Sequence, residues 1–248
     1  METRIRIMGL EVDVLPEETL QSQLQEYLSN DYLNIVHIVS MDYVEEEPSE
    51  EVRMAFAEAD LILPGEKAIL NAHHADVLET GGMVVDYRKI YNTLCKMGLK
   101  DKKVYYVMRN KNEAKSFYGL IRSCHLGDTC VGIFVEDGSM TEETLLNDIN
   151  TKLPDLIFLA LDKEKQEKWI HENRQKINAK LCLCVGGILP LVCRENPHIP
   201  RMFRALHIEG VYKSVRKIPN SHSLRTRIFK RKMADYNNKK QSEDDKSS

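Results

Sequence analysis

Short, continuous apolar runs alternate along the chain with stretches of amphipathic character. "RIRIMGL", "NIVHIVS", "DLILP", "KVYYVM", "VGIFV", "DLIFLAL" and "KLCLCVG" are rich in β-branched and aromatic residues and predict strands. The stretches between them carry helix-start signals. Pro16 opens "PEETLQSQLQEYL", Pro48 and Ser49 open "PSEEVRMAFAEA", Asn112 precedes a run to Cys124, and Thr141 opens "TEETLLNDI". A further helix is predicted from near Lys163, directly after "DLIFLAL". Strands that are apolar throughout, not alternately, are expected where helices cover both faces of a parallel sheet. The pattern therefore predicts an α/β fold, a Rossmann-like parallel sheet with helices on both faces.

In such a sheet the ligand crevice lies beyond the carboxyl ends of the strands. The residues that follow each run are then the informative ones: Ser40 and Asp42, Gly65 and Glu66, Asp137 and Gly138, Asp162 to Gln166, and Gly186 and Gly187. They form a polar, glycine-rich rim. Gln166 and Glu167 fall in the first turns of the helix that starts near Lys163. Spacing alone would equally suit a surface helix with acids near its positive end. Trp169, the single tryptophan, suits core packing better than sugar stacking, and Asp155 and Asn150 suit a strand start and a helix cap.

Composition narrows the function classes. With 42% hydrophobic residues in 248, the chain can bury a large core, and no apolar run is long or uninterrupted enough to span a bilayer. A cytoplasmic location is expected. Six cysteines lack framework spacing, and Cys182 and Cys184, two apart on a predicted strand, point to one face as buried thiols. Adjacent His73 and His74 diverge by about 100° on a helix, a poor arrangement for one metal. A net charge of −3 gives no global reason to expect nucleic acid. The charge is nonetheless uneven: Lys213, Arg216, Lys217, Arg225, Arg227, Lys230, Arg231 and Lys232 follow one another with no acid between them. Interleaved with Leu224, Ile228 and Phe229, they predict a basic helical C-terminal arm that suits a membrane surface, each cation near anionic lipid contributing about 1 kcal/mol, or else a solvated basic helix or an oligomer contact. The expected organisation is an α/β domain over 1–198, the basic appendage over 199–236, and a disordered polar tail over 237–248. No Walker sequence, dinucleotide glycine fingerprint, nucleophile elbow or Cys-x-x-Cys is present.

Several ordered segments together resemble the WecG/TagA/CpsF family of bacterial glycosyltransferases. "LPDLIFLALDKEKQEKWI" supplies Pro154, Asp155, Lys165, Gln166, Glu167 and Trp169 of the family's Pro-Asp strand and Lys-Gln-Glu helix. "EDGSMTEETLLNDIN" is similar to its Asp-Gly turn and Ile-Asn ending, through Asp137, Gly138, Ile149 and Asn150. "CVGGILPLV" is similar to its Val-Gly-Gly turn, and "IPRMFRALHIEGVYKSVRKIP" follows its closing segment with Pro200, Glu209, Tyr212 and Pro219. The likeness spans roughly residues 34 to 229. It implies transfer, with inversion and without a required metal or other cofactor, of an N-acetylhexosamine such as N-acetylmannosamine. The donor is a UDP-sugar and the acceptor a polyprenyl-diphosphate-linked sugar of surface-polysaccharide or cell-wall polymer synthesis. It implies a peripheral position at the inner face of the cell membrane and leaves room for self-association or a partner transferase.

Departures from the family pattern fall at the expected chemistry. The family carries Asp-Gly after a Pro at the end of the third run, the Asp being its proposed base; here the pair reads Gly65 and Glu66. An inverting transfer needs a base for the acceptor hydroxyl, and Glu66 is the candidate. The family's Thr-x-Asn reads Ser40, Met41, Asp42, and its Gly-x-Pro reads Asp162, Lys163, Glu164. Phe-Asp after the Gly-Gly turn reads Leu189, Pro190, Arg-Ala-Pro reads His198, Ile199, Pro200, and the Trp after Glu209 is Gly210. The resemblance assigns Gln166, Glu167, Ser40, Asp42, Gly186 and Gly187 to donor binding, and Lys213, Arg216, Lys217, Arg225 and Arg227 to the membrane and the acceptor. A different class stays open beside it: a non-catalytic subunit that binds or scaffolds an active transferase.

Overall fold

A computed structural model of the chain describes residues 3–44, 48–71, 87–97, 99–122, 130–136, 141–195 and 221–244. Asp137, Gly138, His73, His74, Lys213, Arg216, Lys217 and the closing segment from His198 to Pro219 lie outside the described residues. The chain opens with a hairpin, β1 (Thr3–Ile7) antiparallel to β2 (Leu10–Val14). The remaining strands, β3 (Asn34–Val39), β4 (Leu61–Pro64), β5 (Val104–Met108), β6 (Cys130–Val135), β7 (Leu156–Ala160) and β8 (Leu181–Cys184), form one parallel sheet in the order β4-β3-β8-β7-β5-β6. The helices are α1 (Glu17–Tyr27), α2 (Met41–Val44), α3 (Glu50–Ala57), α4 (Lys67–Asn71), α5 (Tyr87–Lys96), α6 (Lys111–Arg122), α7 (Glu142–Lys152), α8 (Lys163–Asn173), α9 (Leu189–Glu195) and α10 (Ser221–Asp244).

The α/β sandwich expected from the pattern is present because alternate residues of each strand feed two separate cores. Val36, Ile38, Tyr106, Phe158 and Leu183 pack with Leu20 and Leu24 of α1 and Phe117 of α6. Ile35, Tyr105, Val107, Ile157, Leu159, Cys182 and Cys184 pack on the other face with Leu145 and Ile149 of α7 and Trp169 and Ile170 of α8. Cys182 and Cys184 thus share a buried face, as their spacing required, and Trp169 is a fully buried core residue.

Three features differ from the sequence reading. "RIRIMGL" is not one strand: Met8 and Gly9 both hold positive φ (48° and 84°), the mirror-turn geometry that reverses a two-residue hairpin, so "LEVDV" becomes a second strand. The hairpin lies along edge strand β4, where the Asp13 carboxylate accepts from Ile62 N at 2.8 Å and from Arg4 Nε at 2.7 Å. It thereby covers one sheet edge. Second, α6 starts two residues earlier than Asn112 suggested, because Asn110 Oδ1 accepts from the backbone N–H of Asn112 and Glu113. Third, α10 continues to Asp244, past residue 237 where the polar composition predicted an unstructured tail.

A third core joins the hairpin, α2, α3 and α4 to the C-terminal helix through Phe229 and Met233. Arg225, Phe229, Met233 and Tyr236 recur at helical spacing, so one stripe of α10 faces the body of the molecule. Phe229, expected on a lipid-facing side, is fully buried in this core, whereas Leu224 and Ile228 remain exposed.

Candidate functional site

The carboxyl ends of β3, β4 and β8 bring most of the sequence-derived candidates to one place. β3 is flanked by β4 on one side and by β8, the last strand among the described residues, on the other, so the loops leaving β3 and β8 face each other across a topological switch. Ser40 follows β3 and leads into α2. Gly65 and Glu66 follow β4, Gly186 and Gly187 follow β8, and Gln166 and Glu167 come from the first turns of α8, which Asp162 caps.

Gln166 and Glu167 point into the protein and are almost completely buried. Gln166 Nε2 donates to Tyr43 Oη at 2.9 Å and to Glu167 Oε1 at 3.0 Å, while its Oε1 accepts from the backbone N–H of Gly186 at 3.0 Å. One side chain thus ties α8 to α2 and to the β8 loop. Tyr43 Oη also donates to Glu167 Oε1 at 3.3 Å. Burial first, and then the Glu167 carboxylate, push the Tyr43 phenol well above its ordinary value and keep it a donor. His37 Nδ1 lies 3.4 Å from the same Oε1 but without hydrogen-bond geometry. Among the described residues, both His37 nitrogens, Glu167 Oε2 and Ser40 Oγ have no hydrogen-bond partner. The glycines serve this packing. A Cβ on Gly186 would strike Leu161 O and come within 2.7 Å of Gln166 Oε1, and one on Gly187 would strike Tyr43 Cε2 and lie 2.6 Å from Tyr43 Cδ2 and 3.3 Å from Ser40 Oγ.

The acid pattern at the end of β4 has a steric cause. A Cβ at Gly65 would meet Ile188 Cγ2 at 2.5 Å, Val39 O at 2.8 Å and Ile38 Cγ2 at 3.1 Å, so no side chain fits without repacking. The acid stands one residue later. Glu66, 5% exposed, reaches across to β3, where its Oε1 accepts from the Met41 backbone N–H at 2.9 Å. Arg225 of α10 completes the group: its Nη2 is 2.9 Å from Asp42 Oδ2, and its Nη1 and Nη2 each lie 3.4 Å from a Glu66 oxygen. Asp42, an acid where the family pattern has an amide, is thus a partner for a guanidinium.

Elsewhere on the rim, Arg109 forks onto Glu113 at 2.7 and 2.5 Å and reaches Asp162 Oδ1 at 2.7 Å, binding the start of α8 to the end of β5. Lys163 Nζ donates to Tyr43 O at 3.2 Å, and Lys165 pairs with Glu136. Arg227 is exposed on α10. Asp155 accepts from the Lys103 N–H at the strand start. Asn150 does not cap a helix: it donates to Lys176 O and accepts from the Asn178 N–H, fixing the loop before β8. Sequence reasoning missed Tyr43, His37 and Arg109. The signal for His37 was available, a lone polar residue inside the apolar run "NIVHIVS". A cavity of about 410 Å³ between the hairpin and α3, lined by Arg4, Asp13, Arg53 and Phe56, involves none of the rim residues. Among the described residues, no group of three His, Cys, Asp or Glu is arranged to hold a metal ion, and no helix is long and apolar enough to cross a membrane.

These features define an α/β protein in which a buried carboxylate, Glu66, lies at the carboxyl ends of a parallel sheet and is contacted by Arg225 of the basic C-terminal helix. Residues 5–222 match the Glycosyl transferase WecG/TagA/CpsF family, and the chain belongs to that family. Among curated proteins, it is similar to the N-acetylglucosaminyldiphosphoundecaprenol N-acetyl-beta-D-mannosaminyltransferase of Staphylococcus aureus (strain MRSA252). The identity is 32% over 76 residues, 31% of this chain and 30% of that protein. The protein of the same description from strain NCTC 8325 / PS 47 is 30% identical over 76 residues, again 31% and 30% of the two chains. The chain therefore matches about 30% of the length of these relatives.

Proposed function

We propose that the protein is a glycosyltransferase that moves an N-acetylhexosamine from a UDP-sugar to a sugar carried on a polyprenyl diphosphate, working peripherally at the inner membrane face. Family membership and the relatives named for transfer of N-acetylmannosamine to N-acetylglucosaminyl-diphospho-undecaprenol support the sugar and acceptor classes. The observation that carries the reading is Glu66: a buried carboxylate held by Met41 N–H at the switch point, next to Ser40 and Asp42. In the reaction the acceptor hydroxyl oxygen bonds to the anomeric carbon, its proton passes to Glu66, and UDP departs with the electron pair of the broken C–O bond. Gln166 and Glu167 hold the donor site in shape from behind, through Tyr43 and Gly186. Exposed Leu224 and Ile228, flanked by Arg227, Lys230, Arg231 and Lys232, supply a surface for anionic lipid.

The test is transfer of radiolabelled N-acetylmannosamine from its UDP donor to a liposome-held N-acetylglucosaminyl-diphospho-lipid, with calorimetric donor binding measured on the same preparation. Wild-type turnover lost in Glu66→Gln and unaffected by EDTA is the expected result. Turnover unchanged in Glu66→Gln would remove the base assignment, and loss on chelation would remove metal independence.

One observation favours a second reading, a binding or scaffolding subunit without catalysis: the family's acid position is sterically closed and Arg225 engages the displaced acid. Donor binding without transfer to any acceptor, together with co-purification of a partner transferase, would select it.

A further inference from the structure

We propose that Arg225 masks Glu66 until an acceptor diphosphate draws it away, so that the enzyme activates the acceptor hydroxyl and not water. The inference rests on the reading of Glu66 as the base. The mask is visible in the bond lengths. Arg225 is anchored on Asp42 at 2.9 Å and leans on Glu66 with two contacts of 3.4 Å, at the long end of hydrogen bonding. The Met41 N–H and Arg225 Nη2 both face Oε1 and Arg225 Nη1 faces Oε2, so the guanidinium lies against both oxygens of Glu66. The contact is close enough to occupy the base and long enough to be exchanged.

The helix is built to let the side chain leave while the backbone stays. Phe229 and Met233, one and two turns beyond Arg225 on the same face, are buried in the core shared with the hairpin and α2. They anchor α10 to the body of the molecule. Asp42 is 63% exposed at its side chain, so its bond to Arg225 is open to competition from a stronger anion. A diphosphate carries more charge than one carboxylate and accepts a guanidinium fork in the same bidentate manner.

The consequence concerns a side reaction. With a UDP-sugar bound and no acceptor present, an uncovered Glu66 could take a proton from water. Water oxygen would then bond to the anomeric carbon, the C–O bond to the phosphate would break with its electrons on UDP, and free sugar plus UDP would result. Arg225 over Glu66 suppresses that step, and the acceptor's own diphosphate removes the block when the correct nucleophile arrives.

The experiment is UDP release from UDP-N-acetylmannosamine without acceptor, measured for wild type, Arg225→Gln, Arg225→Lys, Glu66→Gln and the double variant Arg225→Gln/Glu66→Gln. Arg225→Gln keeps the Phe229 and Met233 anchors, and unchanged circular dichroism and melting confirm its fold. Its hydrolysis is expected to exceed wild type by about tenfold, the rate equivalent of one weak charge-assisted contact. The double variant returns to background, and Arg225→Lys falls between. Inorganic pyrophosphate raises hydrolysis by wild type and leaves Arg225→Gln unchanged. Hydrolysis by Arg225→Gln no faster than wild type, absent from every variant, or surviving Glu66→Gln overturns the proposal. Transfer to the lipid acceptor separates the two levels. If Glu66→Gln abolishes transfer while Arg225→Gln does not hydrolyse, the mask alone falls; if Glu66→Gln transfers normally, the base assignment falls.

Discussion

Restoring the family's acid by Gly65→Asp should damage this protein, and the size of the damage can be worked from its surroundings. The new Cβ would sit 2.5 Å from Ile188 Cγ2 and 2.8 Å from Val39 O. Neither neighbour retreats easily. Ile188 is buried, and Val39 O accepts the Gly65 N–H at 2.7 Å, which fixes the carbonyl at the strand end. Overpacking of this kind costs about 1–3 kcal/mol. A carboxylate pressed against a carbonyl oxygen and beside buried Glu66 adds roughly another 1–3 kcal/mol as an unsatisfied polar group. The sum, roughly 2–6 kcal/mol, is a large share of the stability of an ordinary domain. At roughly 2–4 °C per kcal/mol for a chain of this size, the melting temperature should fall by about 4–24 °C. Urea denaturation gives the same quantity independently. Gly65→Ala should show the steric part alone, and adding Ile188→Ala to Gly65→Asp should recover on the order of 1 kcal/mol relative to additivity, because the clash is pairwise. A Gly65→Asp variant as stable as wild type, with higher transfer, would refute the account: the position would then be an open acid site and not a sealed contact.

Gln166→Ala removes the acceptor for the buried Gly186 N–H and the donor to Tyr43, and should cost roughly 2–4 kcal/mol in urea unfolding; a change under about 0.5 kcal/mol would mean the network is dispensable. Stability should fall on the alkaline side. Burial raises the Cys130, Cys184, Tyr43 and Tyr105 pKa values, Tyr105 with help from Asp148, and burial followed by Glu113 pushes Cys193 up to about 12. The unfolded chain therefore loses these protons first, beginning near the ordinary thiol value of about 8.5, and stability is lost progressively as pH rises through the folded values. The urea midpoint at pH 10 should lie below that at pH 7.5, and an equal or higher midpoint would contradict the burial of these groups. Phe229→Ala should loosen α10 and cost about 3 kcal/mol, detected by faster proteolysis within 221–244, whereas Leu224→Glu with Ile228→Glu should leave stability unchanged and weaken binding to anionic liposomes. Equal liposome binding by that double variant would remove the lipid-facing surface from α10.

The sheet was legible in the sequence because its strands are buried on both faces and read as unbroken apolar runs; "DLIFLAL" and "KLCLCVG" could hardly sit elsewhere. The hairpin was not, because Met8-Gly9 is a weaker turn signal than Asn-Gly and "RIRIMGL" joins smoothly across it. The rim positions followed from the rule that parallel sheets bind ligands beyond their carboxyl ends. The direction of the side chains there did not. Gln166 and Glu167 follow a helix start, and one-dimensional spacing does not say that Tyr43 and the Gly186 amide will draw them inward. Likewise the charge run from Lys213 to Lys232 identified a basic element without disclosing that Arg225 would turn back onto Asp42. Such pairings join residues far apart in the chain, and periodicity carries no information about them.

The displaced acid ties these points together. A glycine at position 65 removes the family's acid, and taken alone that argues for a chain that has lost its chemistry. The same loop, however, places Glu66 one residue on, with a side chain one methylene longer than aspartate, and the Met41 N–H draws it toward the end of β3. Asp42 and Arg225 then meet it from two further elements. A position that had merely decayed would have no reason to bury a carboxylate, because burial without partners costs several kcal/mol. Here the carboxylate is buried, its partners come from α2 and α10, and the amide-to-acid change at Asp42 gains a purpose as the anchor of Arg225. Two departures from the family pattern, at Gly65-Glu66 and at Asp42, meet through Arg225 and fit a site rebuilt around Glu66, and the Glu66→Gln transfer assay decides between rebuilding and loss.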